Sequence, residues 1–216
     1  MADSSHNAAA EDWKRFDANS IPSKGIELPP IFHETLDLAR AGRCGNKPLR
    51  ILELGCGCGD LSLHLLGICQ GQGDTKKEGV MVVGTDINED AIDAARSKAA
   101  STTQANFLVA DVTSDRFSCR FPTQFDFVIL QLLLSIVGGL EQRRATLANA
   151  FDACRPGGWI YLSCSGVSSD INTKYAELYA KDLPQLERST PIFLVDLPTK
   201  SCIPRITLRH RSFLIC

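Results

Sequence analysis

Between residues 50 and 163 the chain alternates short apolar runs with helical patterns, and that alternation limits the folds open to it. Residues 50–54 form a strand-like run ending at Gly55, 61–68 read as a helix, and 80–87 read as a second strand before the helical 89–100. A third strand begins over 107–109, a fourth covers 125–130, and a helix over 140–154 runs into Arg155-Pro156-Gly157-Gly158 before a fifth strand at 159–163. Strands separated by helical stretches imply βαβ units, whose crossovers are almost always right-handed, and hence a parallel sheet. The runs VMVVG and FVIL are apolar throughout rather than at alternate positions, as befits strands buried on both faces. The fold class is therefore α/β: a doubly wound, mostly parallel sheet with helices on both faces, in a single domain.

The flanks are less regular. Residues 1–11 carry Ala, Ser, Asn and acids without periodicity and are expected to be disordered. The single domain then covers 12–216: an N-terminal helical cap over 12–47, a core over 48–165, and a substrate-side C-terminal segment over 166–216. The cap is broken at Ser20-Ile21-Pro22 and at Pro29-Pro30, and a polar loop occupies 71–79. Beyond the core, 175–183 reads as an amphipathic helix, with strand-like runs at 192–195 and 206–208.

Charge narrows the function classes. With 23 Lys+Arg against 25 Asp+Glu the formal net charge is −2, without the basic excess of a mainly electrostatic nucleic-acid binder. No apolar run reaches the ~20 residues needed to span a bilayer. The polar, acidic start resembles neither a signal peptide nor an Arg-rich transit peptide. Of the nine cysteines, Cys56, Cys58, Cys69, Cys154 and Cys164 lie in apolar or Gly-rich contexts, and the odd count argues for a reduced, cytoplasmic protein. Cys56 and Cys58 lack the paired spacing of a zinc site, so no metal is expected.

The chemistry concentrates in Glu53-Leu54-Gly55-Cys56-Gly57-Cys58-Gly59-Asp60, at the end of the first strand and the opening of the first helix. Alternating glycines allow a sharp turn and bring backbone N–H groups close to a ligand at a helix N-terminus. In open α/β sheets, ligands sit outside the carboxyl ends of the strands. The dinucleotide fingerprint fails, because Asp60 or Ser62 takes the position of the last glycine, and no Gly-Lys-Ser/Thr follows to make a P-loop. An acid two residues before the first glycine repels a pyrophosphate and suits a ligand with a positive end and no phosphate, such as S-adenosylmethionine.

This block resembles motif I of the class I S-adenosylmethionine-dependent methyltransferases. Four further blocks agree in order: Val83-Gly84-Thr85-Asp86-Ile87, then 106–112 ending in Ala110-Asp111-Val112, then 125–131 (FDFVILQ), then 154–160 with its Pro156-Gly157-Gly158. The resemblance implies that Asp86 grips both ribose hydroxyls, that Ile87 covers an adenine face, and that Asp111 accepts from the adenine amino group beside Val112. It implies a cofactor site made of Glu53, Gly55, Cys56, Gly57, Gly59, Asp86, Ile87, Asp111, Val112 and Gln131. For Asp86 the alternative is a helix N-cap, for Asp111 a turn carboxylate, and for Glu53 a buried strand-end acid bonding its own loop.

Acceptor recognition must come from outside the shared sheet. Residues 131–136 (QLLLSI) lack the Asn-Pro-Pro-Tyr type of signature tied by resemblance to methylation of amide or exocyclic nitrogens. Gln131 is the one catalytic candidate, against a bland strand-end role. Residues 163–175 are dense in hydrogen-bonding groups just past the fifth strand, which makes Ser165, Asp170, Asn172 and Tyr175 the substrate-side candidates. Trp13, Phe16 and Lys24 could close the other side, while His33 reads as a helix-face residue. Relatives of this kind continue into further strands after the fifth, so the ending at Cys216 looks cut short and the fifth strand is expected to keep an open edge. The expected function is methyl transfer from S-adenosylmethionine to a small molecule. The alternatives are an RNA or protein methyltransferase, for which only Lys76-Lys77 and 205–211 supply basic clusters, and a catalytically impaired cofactor-binding module.

Overall fold

In a computed structural model the described residues are 5–15, 17, 26, 28–43, 47–71, 79–163 and 205–209, the side chains of 5–9, 70, 71 and 205–209 excepted. The elements run α1 (Ser5–Lys14), α2 (Pro30–Ala41), β1 (Leu49–Leu54), α3 (Asp60–Gly71), β2 (Val80–Asp86), α4 (Glu89–Lys98) and β3 (Ala105–Val109). They continue with a 3-10 turn (Ser118–Arg120), β4 (Phe125–Gln131), α5 (Leu133–Ile136), α6 (Leu140–Ala153), β5 (Cys154–Ser163) and β6 (Arg205–Arg209).

Six strands form one sheet in the order β3-β2-β1-β4-β5-β6. The first five are parallel and β6 is antiparallel to β5. The expected open edge on β5 is thus corrected: β6 pairs it from Ser163 opposite Arg205 to Trp159 opposite Arg209. Strand order reverses between β1 and β4, so their carboxyl ends border the crevice where such sheets take ligands. Glu53 stands opposite Gly84 on one side and Ile129 on the other, which sets Gln131 level with Gly55.

Two-sided burial is visible residue by residue. Successive strand side chains point to opposite faces, and Ile51, Phe127, Ile129 and Tyr161 join one core cluster while Leu52, Leu54, Val128, Leu130, Ile160 and Leu162 join another. Phe32, Leu36 and Ala39 of α2 and Leu61, Leu65 and Leu66 of α3 cover the first face. Ala150 and Ala153 of α6, with Phe117, cover the second. At the entry end of β4, Asp126 accepts from Arg155 Nε at 2.6 Å and from the Arg50 amide at 2.9 Å, and Arg155 also donates to the Gly42 carbonyl. These charged residues tie strand ends together away from the crevice.

Two expectations are corrected here. Residues 5–14 are helical rather than disordered: Ala8-Ala9-Ala10 have the highest helix propensity of any residue type, which an argument from apolar periodicity overlooks. The break at Pro29-Pro30 is where α2 begins, with Pro30 in its first turn, where a missing N–H is no loss. β5 begins at Cys154, with Arg155-Pro156-Gly157-Gly158 inside a strand whose register against β4 shifts between Phe125 and Phe127.

Candidate functional site

The turn after β1 is built from its own backbone. Gly55, Gly57 and Gly59 have φ of +73°, +51° and +77°, in the left-handed region that glycine enters without a Cβ penalty. Gly59 is also hemmed in: a Cβ there would lie 2.8 Å from the Phe107 ring and 2.9 Å from Ala95. Above Gly57 a Cβ would meet nothing within 4 Å.

The amides of this turn are already in use. Gly55 and Cys56 both donate to the Thr85 carbonyl at 2.8 and 2.9 Å, Gly59 donates to the Cys56 carbonyl at 2.9 Å, and Gly57 donates to Asp86 Oδ2 at 2.8 Å. The expectation that these N–H groups are turned towards a ligand is corrected for all four. A phosphate-binding loop keeps its amides available; Gly55, Cys56, Gly57 and Gly59 do not.

Asp86 closes β2, half-buried. Its Oδ1 accepts from the Asn88 amide at 2.9 Å, so each oxygen holds one backbone N–H. A carboxylate offers about four acceptor positions, which leaves room for two more donors. The N-cap role goes to Asn88, whose side chain accepts from the Ala91 amide at the start of α4. Asp111, beyond β3, accepts from both the amide and the hydroxyl of Thr113 through Oδ1 alone, at 2.8 and 2.7 Å. Asn149 of α6 holds the same segment by donating to the carbonyls of Val112 and Ser114 at 2.7 and 2.9 Å.

These groups share a cavity of about 460 Å³ at the carboxyl ends of β1, β2, β3 and β4. Of the ten residues implied by resemblance, seven line it: Gly55, Gly57, Asp86, Ile87, Asp111, Val112 and Gln131. Glu53, Cys56 and Gly59 are not among its lining residues. Glu53 is 4% exposed and accepts from the Ser62 hydroxyl. Burial raises its carboxyl to about 8, opposed by hydrogen bonds from Ser62 and reinforced by the charges of Asp86 and Asp60. Cys56 is buried against Glu53, and burial first, then that carboxylate and Asp86, push its thiol up. Gly59 serves packing.

Sequence reasoning named Trp13 as a residue that closes one side and missed Ala10 and Gln142. Ala10 and Trp13 of α1 line the cavity, and Asn88 Nδ2 donates to the Trp13 carbonyl at 3.0 Å, pinning α1 across the opening. The segment 131–142 forms most of another wall, including the short α5 and Gln142 at the start of α6. The QLLLSI run hid this helix because four residues carry no period. Phe16, Lys24, Ser165, Asp170, Asn172 and Tyr175 lie outside the described residues. His33 stands exposed on α2, its ring edge-on to Phe32 and away from the cavity.

The cavity's chemistry fits one class of ligand. Among the described residues no Lys, Arg or His lines it, so nothing there would neutralise a phosphate. Its acids sit beside apolar surface from Ile87, Val112 and Trp13. Together fold and site define a doubly wound protein that holds a phosphate-free nucleoside. The comparisons with known proteins agree. A methyltransferase-domain family model matches residues 52–160, about half of the chain. Among solved structures, the chain is similar to an S-adenosylmethionine-dependent methyltransferase from Methanosarcina mazei, with 27% identity, 75% of this chain and 69% of that one covered, and a TM-score of 0.53. It also resembles magnesium protoporphyrin IX methyltransferase from Synechocystis PCC 6803 with bound S-adenosylmethionine (18% identity, 77% and 78% covered, TM-score 0.53). The CurJ carbon methyltransferase is a third (20% identity, 76% and 40% covered, TM-score 0.52). No match was found among curated protein sequences. The chain belongs to the methyltransferase-domain family, as a class I S-adenosylmethionine-dependent methyltransferase. Its cofactor is S-adenosylmethionine. Among the described residues no helix is long and apolar enough to cross a membrane.

Proposed function

We propose that the protein transfers the methyl group of S-adenosylmethionine to a small-molecule acceptor in the cytoplasm. The observation that carries this reading is the pair Asp86 and Asp111, set at the ends of adjacent strands on one cavity with no basic side chain among the described residues. Asp86 accepts from the two ribose hydroxyls through its remaining lone pairs, a charge-assisted pair of bonds. Asp111 accepts from the adenine amino group, Ile87 and Val112 cover the ring, and Gly55 and Gly57 leave space for the rest of the cofactor. The bound cofactor supplies an electrophilic methyl on a sulfonium, whose sulfur leaves with the bonding pair as a neutral thioether. The protein's part is to align the acceptor's lone pair behind that methyl in a dry site, and orientation of this kind accounts for most of the acceleration.

A cavity of about 460 Å³ with Trp13 in its lining suits a small acceptor better than a polymer. The five described cysteines, Cys56, Cys58, Cys69, Cys119 and Cys154, are free, which suits a reducing compartment. The M. mazei neighbour is named only as a methyltransferase, and the Synechocystis one as a magnesium protoporphyrin IX methyltransferase, a small-molecule acceptor in line with this reading.

Calorimetry with S-adenosylhomocysteine, NAD and ADP tests the cofactor half. S-adenosylhomocysteine is expected to bind and the two phosphate-bearing nucleotides to give no heat; tighter binding of NAD would overturn the reading. Transfer of radiolabelled methyl over a panel of small acceptors, folded RNA and protein tests the other half. Label in RNA or protein alone would replace the small acceptor by a polymer.

A further inference from the structure

Within the reading above, the cavity wall formed by residues 131–142 contains two polar atoms that nothing yet explains. Gln131 Oε1 and Gln142 Oε1 are both buried and have no hydrogen-bond partner among the described residues. Gln131 closes β4 and Gln142 sits in the first turn of α6; both line the cavity, and the segment they bracket contributes Leu133, Ile136 and Val137 to it. A buried carbonyl left without a donor costs about 1–3 kcal/mol, and native proteins leave few of them. Two on one wall of one cavity form a matched pair of acceptors in apolar surroundings.

The wall that carries them is held from outside. Leu132 adopts φ +59°, a left-handed conformation costly for leucine, and its amide donates to both the carbonyl and the hydroxyl of Ser163, at 2.9 and 3.2 Å. Arg143 Nε donates to the Val137 carbonyl at 3.0 Å. Strain persists where the surroundings over-determine it, and it clusters at ligand clamps. These bonds hold the backbone of the segment that carries Gln131.

We infer that Gln131 and Gln142 select the methyl acceptor: an uncharged, largely apolar molecule that presents N–H or O–H donors to their side-chain carbonyls. A carboxylated or phosphorylated acceptor would find no cation among the described lining residues and two acids in the same cavity. A molecule with acceptor atoms only would leave both carbonyls unpaired, and sites built to hydrogen-bond a group discriminate strongly against analogues that lack it.

The test uses the full chain saturated with S-adenosylhomocysteine and two matched sets of probes. One set is 2-naphthol, its acceptor-only ether 2-methoxynaphthalene, and the anion 2-naphthoate; the other is indole, benzofuran and indole-3-carboxylate. Affinities from ligand-observed NMR titration are expected to rank the donor first in each set, by about tenfold over the ether or furan. Gln142→Leu should erase that preference, Gln142→Glu should retain it, and neither should change S-adenosylhomocysteine affinity by more than about threefold. Equal or tighter binding of the anions, a donor preference that survives Gln142→Leu, or no binding of any probe would overturn the inference. So would a Gln142→Leu variant that weakens S-adenosylhomocysteine instead, since Gln142 would then serve the cofactor. Failure of S-adenosylhomocysteine itself to bind would sink the methyltransferase reading and is recorded separately in the same titration.

Discussion

Two walls of one cavity are made in opposite ways. On the β1–β2–β3 side every polar group named above has a partner inside the protein: the glycine-turn amides bond to Thr85, Cys56 and Asp86, and Asp111 bonds to Thr113. Even the buried Glu53 is matched by Ser62. On the segment from Gln131 to Gln142 two amide oxygens lack partners among the described residues, and Leu132 is held in a left-handed conformation. Leu132 and Ile136 expose 37% and 40% of their surface there. A self-satisfied wall keeps its shape with or without ligand, which suits a cofactor common to many enzymes. A wall with unmet hydrogen bonds gains most when its own ligand arrives, which suits the part that differs between them.

The largest expected effect attacks the rigidity of the first wall. Gly59→Ala places a Cβ against the Phe107 ring and forces alanine to φ +77°, and should cost about 2–5 kcal/mol of stability. Chemical denaturation checks this; a loss below about 1 kcal/mol would mean that the turn yields and the wall is not rigid. Next comes the carboxylate with spare acceptor positions. Asp86→Ala removes two charge-assisted bonds to the ligand, and S-adenosylhomocysteine should bind about 10- to 100-fold more weakly by calorimetry. Unchanged affinity would show that Asp86 serves only the Gly57 and Asn88 amides.

Much of this first wall is legible in sequence because its signals are local. Glycines two apart, an acid at a strand end and a run such as VMVVG each occupy a few consecutive residues, and their order fixes the sheet. What sequence misreads is depth: Glu53 is as acidic on the page as Asp86, yet β4 and α3 close over one and leave the other at the cavity. The second wall is hidden for a different reason. Gln142 acquires meaning only when α6 brings its first turn to the cavity, and no period or spacing announces that. Trp13 could be named from the sequence, but not the bond from Asn88 that holds it, which joins residues 75 apart in the chain.

Glu53 sharpens the comparison through pH. Its folded-state value is raised to about 8 by burial, above the ordinary carboxylate value of 4.5. Between these values the folded protein holds a proton that the unfolded chain has released. Its contribution to stability is therefore fully present below about pH 4.5 and is lost as pH rises towards 8, with a slope of at most about 1.4 kcal/mol per pH unit. Glu53→Gln keeps the shape and the bond to Ser62 without the titration, so denaturation midpoints measured from pH 5 to 8 should fall for the natural protein and flatten for the variant. Parallel curves would mean that water reaches Glu53 and that the first wall is less sealed than its hydrogen bonds suggest.

The smallest effect belongs to Leu132. Glycine there relieves about 1–2 kcal/mol of left-handed strain, but gives back about 0.5–1 kcal/mol in backbone freedom and part of a half-exposed apolar side chain. Leu132→Gly should therefore change stability by less than about 1 kcal/mol, while the neighbouring Leu133→Ala, which empties a site 6% exposed beneath Gly55, should cost about 2–5 kcal/mol. The informative readout is not stability but the donor preference of the acceptor site. If the strain at Leu132 positions the two glutamines, Leu132→Gly should narrow the gap between 2-naphthol and 2-methoxynaphthalene while leaving S-adenosylhomocysteine affinity unchanged. If the gap stays as wide, the second wall owes its shape to α6 and to the bond from Arg143, and the conformation of Leu132 is only where the chain turns between them.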